Sequence, residues 1–364
     1  MRVVISAGGT GGHIYPALAI INRIKEEEPN SEFLYIGTHN RMEKDIIPEH
    51  KIEYVPIEIS GLKRRISIDN IKNLFNFIRA RKKCKQIISK FNPDVVIGCG
   101  GYVTAPVIWA ANKLGKKTFI HEQNSVVGLS NKYLSKYADK IGVSFESTIK
   151  EFPRNKVVLT GNPCSEKALN CKKEGLEQFG LDKNKKTVLI VMGSLGSTSI
   201  NDKLMNYIEG FRNKEYQVLF VTGKEYYDKI KNRILPQNIS LEPFIDNLSS
   251  VMKSVDLMVS RSGATTISEI TVLGLPTIFI PSPYVTNNHQ YKNAMDLVNK
   301  EAGLIIEEKD LNKDKLIKLI DKTLKDEKKY NTIKQNLLKI GIKNSSSRIY
   351  ETLKEMIMDD KRFF

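Results

Sequence analysis

The sequence predicts an α/β protein built from two doubly wound parallel-sheet domains, and three observations carry that expectation. Short β-branched runs alternate with amphipathic stretches along most of the 364 residues. Near-continuous apolar strands separated by helices are what a parallel sheet covered on both faces requires. The scheme of strand, glycine-rich turn and helix also starts twice, in VVISAGGTGGHIYPALAI and again in VLIVMGSLGSTSIN. The length, at roughly 150 residues per domain, fits two domains.

In the first half the expected strands are Val3–Ser6, Phe33–Ile36, Val95–Gly98 and Thr118–Ile120. In the second half they are Val188–Met192, Val218–Thr222, Leu257–Ser260 and Thr277–Ile280. Helical periodicity covers Ile14–Glu27, Thr266–Leu273 and Gln290–Lys300, among others. The turn Gly161-Asn162-Pro163 marks the join, giving domains 1–163 and 164–344, with a last helix 345–364 expected to pack back on the first. Ligands of such sheets bind at the carboxyl ends of strands, so the expected site is the interdomain cleft.

Composition narrows the class. Hydrophobic residues make up 41% and charged residues 27%, which suits a globular chain. No apolar run approaches the roughly 18 residues of a membrane span, and the N-terminus reads as a strand and not as a signal peptide. Cys84, Cys99, Cys164 and Cys171 form no zinc or disulfide spacing, so a reducing cytoplasm is the default. The net charge is +16, and it is uneven: Ser60–Lys90 carries ten basic residues against the single acid Asp69. Such a stretch suits nucleic acid, an anionic bilayer or a phosphorylated substrate, or else is a solvated face. The Lys-rich C-terminal quarter interleaves acids, as in Glu308-Lys309-Asp310, and reads as ordinary exposed helix.

Three glycine turns carry the chemistry. Gly8-Gly9-Thr10-Gly11-Gly12-His13 follows the first strand and opens a helix, where backbone amides can approach an anion. The helix dipole disfavours an imidazolium at His13, and a neutral imidazole can accept a proton. Gly98-Cys99-Gly100-Gly101-Tyr102 and His121-Glu122-Gln123-Asn124 end two further strands on the same rim. The strongest local signal is Ser260-Arg261-Ser262-Gly263-Ala264-Thr265-Thr266-Ile267-Ser268-Glu269. Its helix start and Thr hydroxyls can hold a diphosphate, and Glu269, about 9 Å further along the axis, can accept both hydroxyls of a ribose.

Together the motifs AGGTGGH, GGYVTAP, HEQN, GNP, GSLGS, RSGATTISE, GLPTIFIP and HQYKNA resemble the MurG family, in order and over nearly the whole chain. These are UDP-N-acetylglucosamine:N-acetylmuramyl-(pentapeptide) pyrophosphoryl-undecaprenol N-acetylglucosaminyltransferases. The resemblance implies a GT-B fold with an N-terminal acceptor and membrane-facing domain and a C-terminal UDP-sugar domain. It implies inverting transfer of N-acetylglucosamine to the muramyl 4-hydroxyl of lipid I, giving lipid II for peptidoglycan. Carried over by position, the donor residues are Thr10, Gly11, Gly12, Asn124, Ser194, Arg261, Ala264, Thr265, Thr266, Glu269 and Gln290. Gly100, Gly101 and Tyr102 fall to the acceptor. His13 matches the family histidine taken as base, with Glu122 as its rival or helper.

The basic segment, with Phe75 and Phe77 among Arg79, Lys82 and Lys83, becomes a peripheral membrane contact on the cytoplasmic face. No two aspartates stand two apart, so the D-x-D metal motif is missing and no essential metal or cofactor is expected. The implied partners are UDP-N-acetylglucosamine, lipid I, an anionic membrane and cell-wall or division proteins, with no nucleic acid. Three departures stand out. Ser165 occupies a position where the family often has Arg, leaving Arg261 to supply that phosphate contact; His289 precedes Gln290 where two glutamines are usual; Thr104 and Ala105 replace Ser and Gly. The rivals are a UDP-sugar transferase with a diacylglycerol acceptor, a UDP-sugar epimerase, a dinucleotide oxidoreductase and a nucleic-acid binder.

Overall fold

The structure, a computed structural model, describes residues 1–59, 68–193 and 196–361, with side chains described from Phe75 onward in the third helix and up to Met358 in the last. Two compact units emerge, one of Met1–Ser165 with Asn344–Phe364 and one of Glu166–Lys343.

The first unit holds seven strands, β1 (Arg2–Ser6), β2 (Glu32–Thr38), β3 (Glu53–Ile57), β4 (Val95–Gly98), β5 (Lys117–Glu122), β6 (Lys140–Val143) and β7 (Val157–Leu159). They pair in the order β3-β2-β1-β4-β5-β6-β7, all parallel. The apolar side chains of β1 face helices on both sides. Val3 and Ile5 join one core cluster and Val4 the other, which explains the uninterrupted VVI run. The helix Gly11–Glu27 packs on the first of these faces, together with Ile349, Tyr350 and Leu353 of the final helix Ser345–Lys361.

The second unit repeats the plan with β8 (Thr187–Val191), β9 (Gln217–Val221), β10 (Ile239–Glu242), β11 (Leu257–Ser260), β12 (Thr277–Phe279) and β13 (Leu304–Ile305), in the order β10-β9-β8-β11-β12-β13. In each sheet the strand order reverses beside the first strand, between β1 and β4 and between β8 and β11. This is the crevice where doubly wound sheets bind ligands, and the glycine turns of the sequence lie at it.

Two helices begin earlier than periodicity suggests, at Gly11 and at Ala264, because the extended residues Thr10 and Gly263 turn directly into the first helical turn. One expectation is corrected. Glu308, read as part of an exposed charged run, lies buried in the short turn Glu308–Asp310.

Candidate active site

In the first unit the turns after β1 and β4 are packed backbone to backbone. The Gly8 amide donates to the Gly100 carbonyl at 3.2 Å. A Cβ on Gly100 would lie 2.6 Å from the His13 ring, and one on Gly101 would lie 2.6 Å from the Gly8 carbonyl oxygen. Both residues have left-handed φ, +105° and +87°, so only glycine meets the two demands together. His13 is thereby seated on the Gly100 backbone. Its Nδ1 lies 3.0 Å from the Gly8 carbonyl oxygen. A carbonyl can only accept, so Nδ1 carries the proton and the neutral ring has its lone pair on Nε2. Gly11 and Gly12 sit in the first helical turn, whose leading amides have no intrahelical acceptor, and Thr10 before them is exposed.

Glu122 is spent on its own loop. One carboxylate oxygen accepts the Asn124 amide at 3.1 Å and its side-chain nitrogen at 3.4 Å; the other accepts the Gly128 amide and Asn131 Nδ2, each at 2.9 Å. This buried clip fixes Asn124 at the carboxyl end of β5 and commits both carboxylate oxygens to the loop 124–131. His121 is also structural. Its Nε2 donates to the Gly161 carbonyl and its Nδ1 accepts from Gln123, while burial pushes its pKa down to about 4. Tyr102 is half-buried beside these turns. Thr104, one of the departures, donates Oγ1 to the Gly101 carbonyl at 2.7 Å, so its hydroxyl braces the glycine turn.

In the second unit the turn after β11 enters the helix Ala264–Leu273. Ala264 is buried at its start, Thr266 is half-buried, and the Thr265 hydroxyl is buried with no hydrogen-bond partner among the described residues. An orphaned hydroxyl beside first-turn amides is the condition an anionic ligand would relieve. Glu269, one turn further on, accepts from Ser249 Oγ at 3.1 Å. Desolvation pushes its pKa up to about 7, against the opposing pull of Ser249 and the Lys167 charge. Gln290 Oε1 accepts the Ser282 amide at 2.8 Å, which fixes the side chain and leaves its Nε2 as donor. Ser194 lies outside the described residues.

Arg261 is used differently from the sequence expectation. Its NH1 donates to the Ile280 carbonyl at 3.0 Å and to Glu308 at 2.8 Å, and its NH2 donates to Ser197 Oγ at 2.9 Å. The guanidinium is a buried brace between β11 and the glycine turn after β8, so a phosphate would have to compete with Glu308 for it. Ser165, at the position of the missing family Arg, is buried and hydrogen-bonded to Ser345 at 2.7 Å, securing the returning C-terminal helix.

The basic helix Ile68–Phe91 divides its two expected roles by face. Ala80, Cys84 and Ile88, four residues apart, enter the core, whereas Phe75, Ile78, Arg79 and Lys82 form an exposed stripe at helical spacing. Phe77 is half-buried beneath Arg81, which stacks between it and Trp109 and donates to Tyr133. Lys83 Nζ is bonded to the Pro56 carbonyl at 3.0 Å. Among the described residues no helix is long and apolar enough to cross a membrane, and no cluster of three or more His, Cys, Asp or Glu could hold a metal.

Comparison with known proteins agrees along the whole chain. Residues 3–143 match the glycosyltransferase family 28 N-terminal domain and residues 187–353 its C-terminal domain. A Bacillus cereus protein named UDP-N-acetylglucosamine--N-acetylmuramyl-(pentapeptide) pyrophosphoryl-undecaprenol N-acetylglucosamine transferase 1 is 48% identical over 98% of this chain and 100% of its own length. The chain belongs to the MurG family. A Bacillus pumilus relative of the same transferase name is 46% identical over 98% of this chain and 99% of its own length. The crystal structure of Acinetobacter baumannii MurG superposes with a TM-score of 0.78, at 24% identity, covering 97% of this chain and 99% of that one. A Neisseria meningitidis UDP-GlcNAc 2-epimerase bound to UDP-GlcNAc shares the fold at a TM-score of 0.65 and 17% identity, over 98% of this chain and 100% of that one. The fold is thus GT-B, and the full-length sequence matches at 46–48% identity are to transferases of the MurG family.

Proposed function

We propose that the protein transfers N-acetylglucosamine from UDP-N-acetylglucosamine to the muramyl 4-hydroxyl of lipid I, with inversion, giving lipid II. The observation that carries this reading is the 48% identity to transferases of that name over 98% of the chain, spanning both halves at once. The chemistry asks for two things: stabilisation of diphosphate charge on the departing UDP, and removal of the acceptor proton. First-turn amides at Ala264 with the Thr265 and Thr266 hydroxyls suit the first; Glu269 suits the ribose and Gln290 Nε2 the sugar. His13, through Nε2, suits the second, while both oxygens of Glu122 hold its own loop. The reading is tested by incubating the protein with UDP-N-acetylglucosamine and a lipid I analogue. Disaccharide product is expected; UDP-sugar turned over to an epimer with no disaccharide would overturn it.

Glu269 makes donor binding pH-dependent in a defined direction. Above pH 7 the carboxylate accepts from both ribose hydroxyls; below it, one oxygen becomes a donor. KM for UDP-N-acetylglucosamine therefore rises on going from about pH 8 to pH 6, by roughly tenfold if only the ionised form binds, and Glu269→Gln abolishes that dependence. In the ligand-free protein the sign for stability is opposite. The folded pKa is raised, so the stabilisation is present at low pH and is lost as pH climbs from the ordinary carboxyl range through about 7.

Lipid I is membrane-borne, and the exposed stripe of Phe75, Ile78, Arg79 and Lys82 suits docking on an anionic leaflet. Co-sedimentation with phosphatidylglycerol vesicles is expected to exceed that with phosphatidylcholine vesicles, and to fall when Arg79→Glu and Lys82→Glu are combined. Binding indifferent to both changes would remove this role from the helix.

A further inference from the structure

We infer that Glu43 is a positioning residue for His13, acting through the single peptide group between Gly8 and Gly9. The inference deepens the reading above and rests on His13 as base. Glu43, in the helix Glu43–Glu49 after β2, is a fully buried carboxylate. One of its oxygens accepts the Thr38 amide at 3.2 Å and the Thr38 hydroxyl at 2.7 Å. The other accepts the Gly9 amide at 3.1 Å. The Gly9 N–H and the Gly8 C=O belong to one trans peptide, so they point in opposite directions. Glu43 therefore holds the peptide by its N–H while His13 Nδ1 donates to its C=O at 3.0 Å.

The resulting order is carboxylate, peptide, imidazole. The carboxylate polarises the peptide and makes the Gly8 oxygen a stronger acceptor, because hydrogen bonds in series reinforce each other in a low-dielectric interior. A stronger acceptor holds His13 in the Nδ1–H tautomer, with its lone pair on Nε2. A carboxylate that orients a catalytic histidine by direct contact does the same work in hydrolase triads; here a peptide stands between them. The site has no slack for a substitute. A Cβ on Gly8 would meet Glu43 Oε1 at 2.7 Å, and the three groups bonded to Glu43 are all donors. Glutamine would bring an NH2 group against either Gly9 or Thr38, and so would break one end of the clamp.

The test uses the full-length protein with ¹⁵N-labelled histidine; the chain has five histidines, and His13→Ala assigns the signal. The neutral His13 ring of the parent is expected as the Nδ1–H tautomer, whereas an Nε2–H tautomer would overturn the proposal without any Glu43 variant. Glu43→Gln is expected to lower kcat roughly tenfold, a part of the factor a general base supplies, with KM for UDP-N-acetylglucosamine unchanged and the Nδ1–H tautomer depleted. Added to His13→Ala, it should cost little more. An unchanged kcat in Glu43→Gln, or an equal further loss on the His13→Ala background, overturns the relay alone. A near-parental kcat in His13→Ala instead overturns the base assignment.

Discussion

Replacing His13 with alanine is expected to lower kcat by roughly 10²-fold or more while KM for UDP-N-acetylglucosamine stays within about twofold of the parent. The direction follows from where the residue sits. His13 lies in the first turn of the helix Gly11–Glu27, with Nδ1 committed to the Gly8 carbonyl, so Nε2 is the nitrogen that would take the proton. Losing a group that acts on the acceptor proton removes stabilisation made only in the transition state, which appears in kcat. His13→Asn is the informative companion. It keeps a polar side chain in the same place and offers no basic nitrogen, so its kcat should match that of the alanine variant. Steady-state kinetics at saturating lipid I analogue separates the outcomes. If asparagine restores turnover, the residue is a hydrogen-bonding scaffold and the proton leaves by another route.

Much of this site is legible in the linear sequence because its requirements are local. A glycine turn between an apolar strand and a helix is a contiguous signal, and Gly8 to His13 or Arg261 to Glu269 can be read without knowing what packs against them. Two strands that escape such reading lie at sheet edges. Glu53–Ile57 carries Pro56 and is mostly half-exposed, and Leu304–Ile305 is two residues long, so neither shows an apolar run. The braces behind the site are less legible still. Glu43 lies in Arg41-Met42-Glu43-Lys44-Asp45 and Glu308 in Glu307-Glu308-Lys309-Asp310, stretches whose alternating charges look like solvated surface. What buries them is a partner distant in sequence: the Gly9 amide for one, the Arg261 guanidinium for the other. Periodicity reports which face of an element is apolar; it says nothing about a single acid turned inward to meet a donor on another strand. Arg261 shows the same limit, since its motif suggests a phosphate ligand and its neighbours make it a brace.

Removing Glu308 should be among the most damaging single substitutions for folding in the second unit. Arg261 and Glu308 are about one-tenth exposed, and the carboxylate also accepts from Ser199 Oγ at 2.9 Å while Lys203 Nζ bonds its backbone carbonyl. Truncation to alanine leaves the guanidinium desolvated without its counter-charge, a change that costs about 3–5 kcal/mol. With a urea dependence of about 2–3 kcal/mol per M, the unfolding midpoint should fall by about 1–2.5 M. The reverse truncation, Arg261→Ala, strands the carboxylate and should cost a similar amount. Replacing both at once by Met and Leu should recover most of the loss, because two apolar side chains leave no charge to desolvate. Glu308→Gln separates a charge effect from a cavity effect, since it keeps the side-chain volume and removes only the counter-charge of Arg261. The double variant should nonetheless bind UDP-N-acetylglucosamine more weakly than the parent. Arg261 NH2 holds Ser197 at the entrance to the helix Thr198–Tyr207, and a Met side chain cannot make that bond. Stability restored with donor affinity still reduced would assign the ion pair to shaping the turn after β8; full recovery of both would reduce it to a packing element.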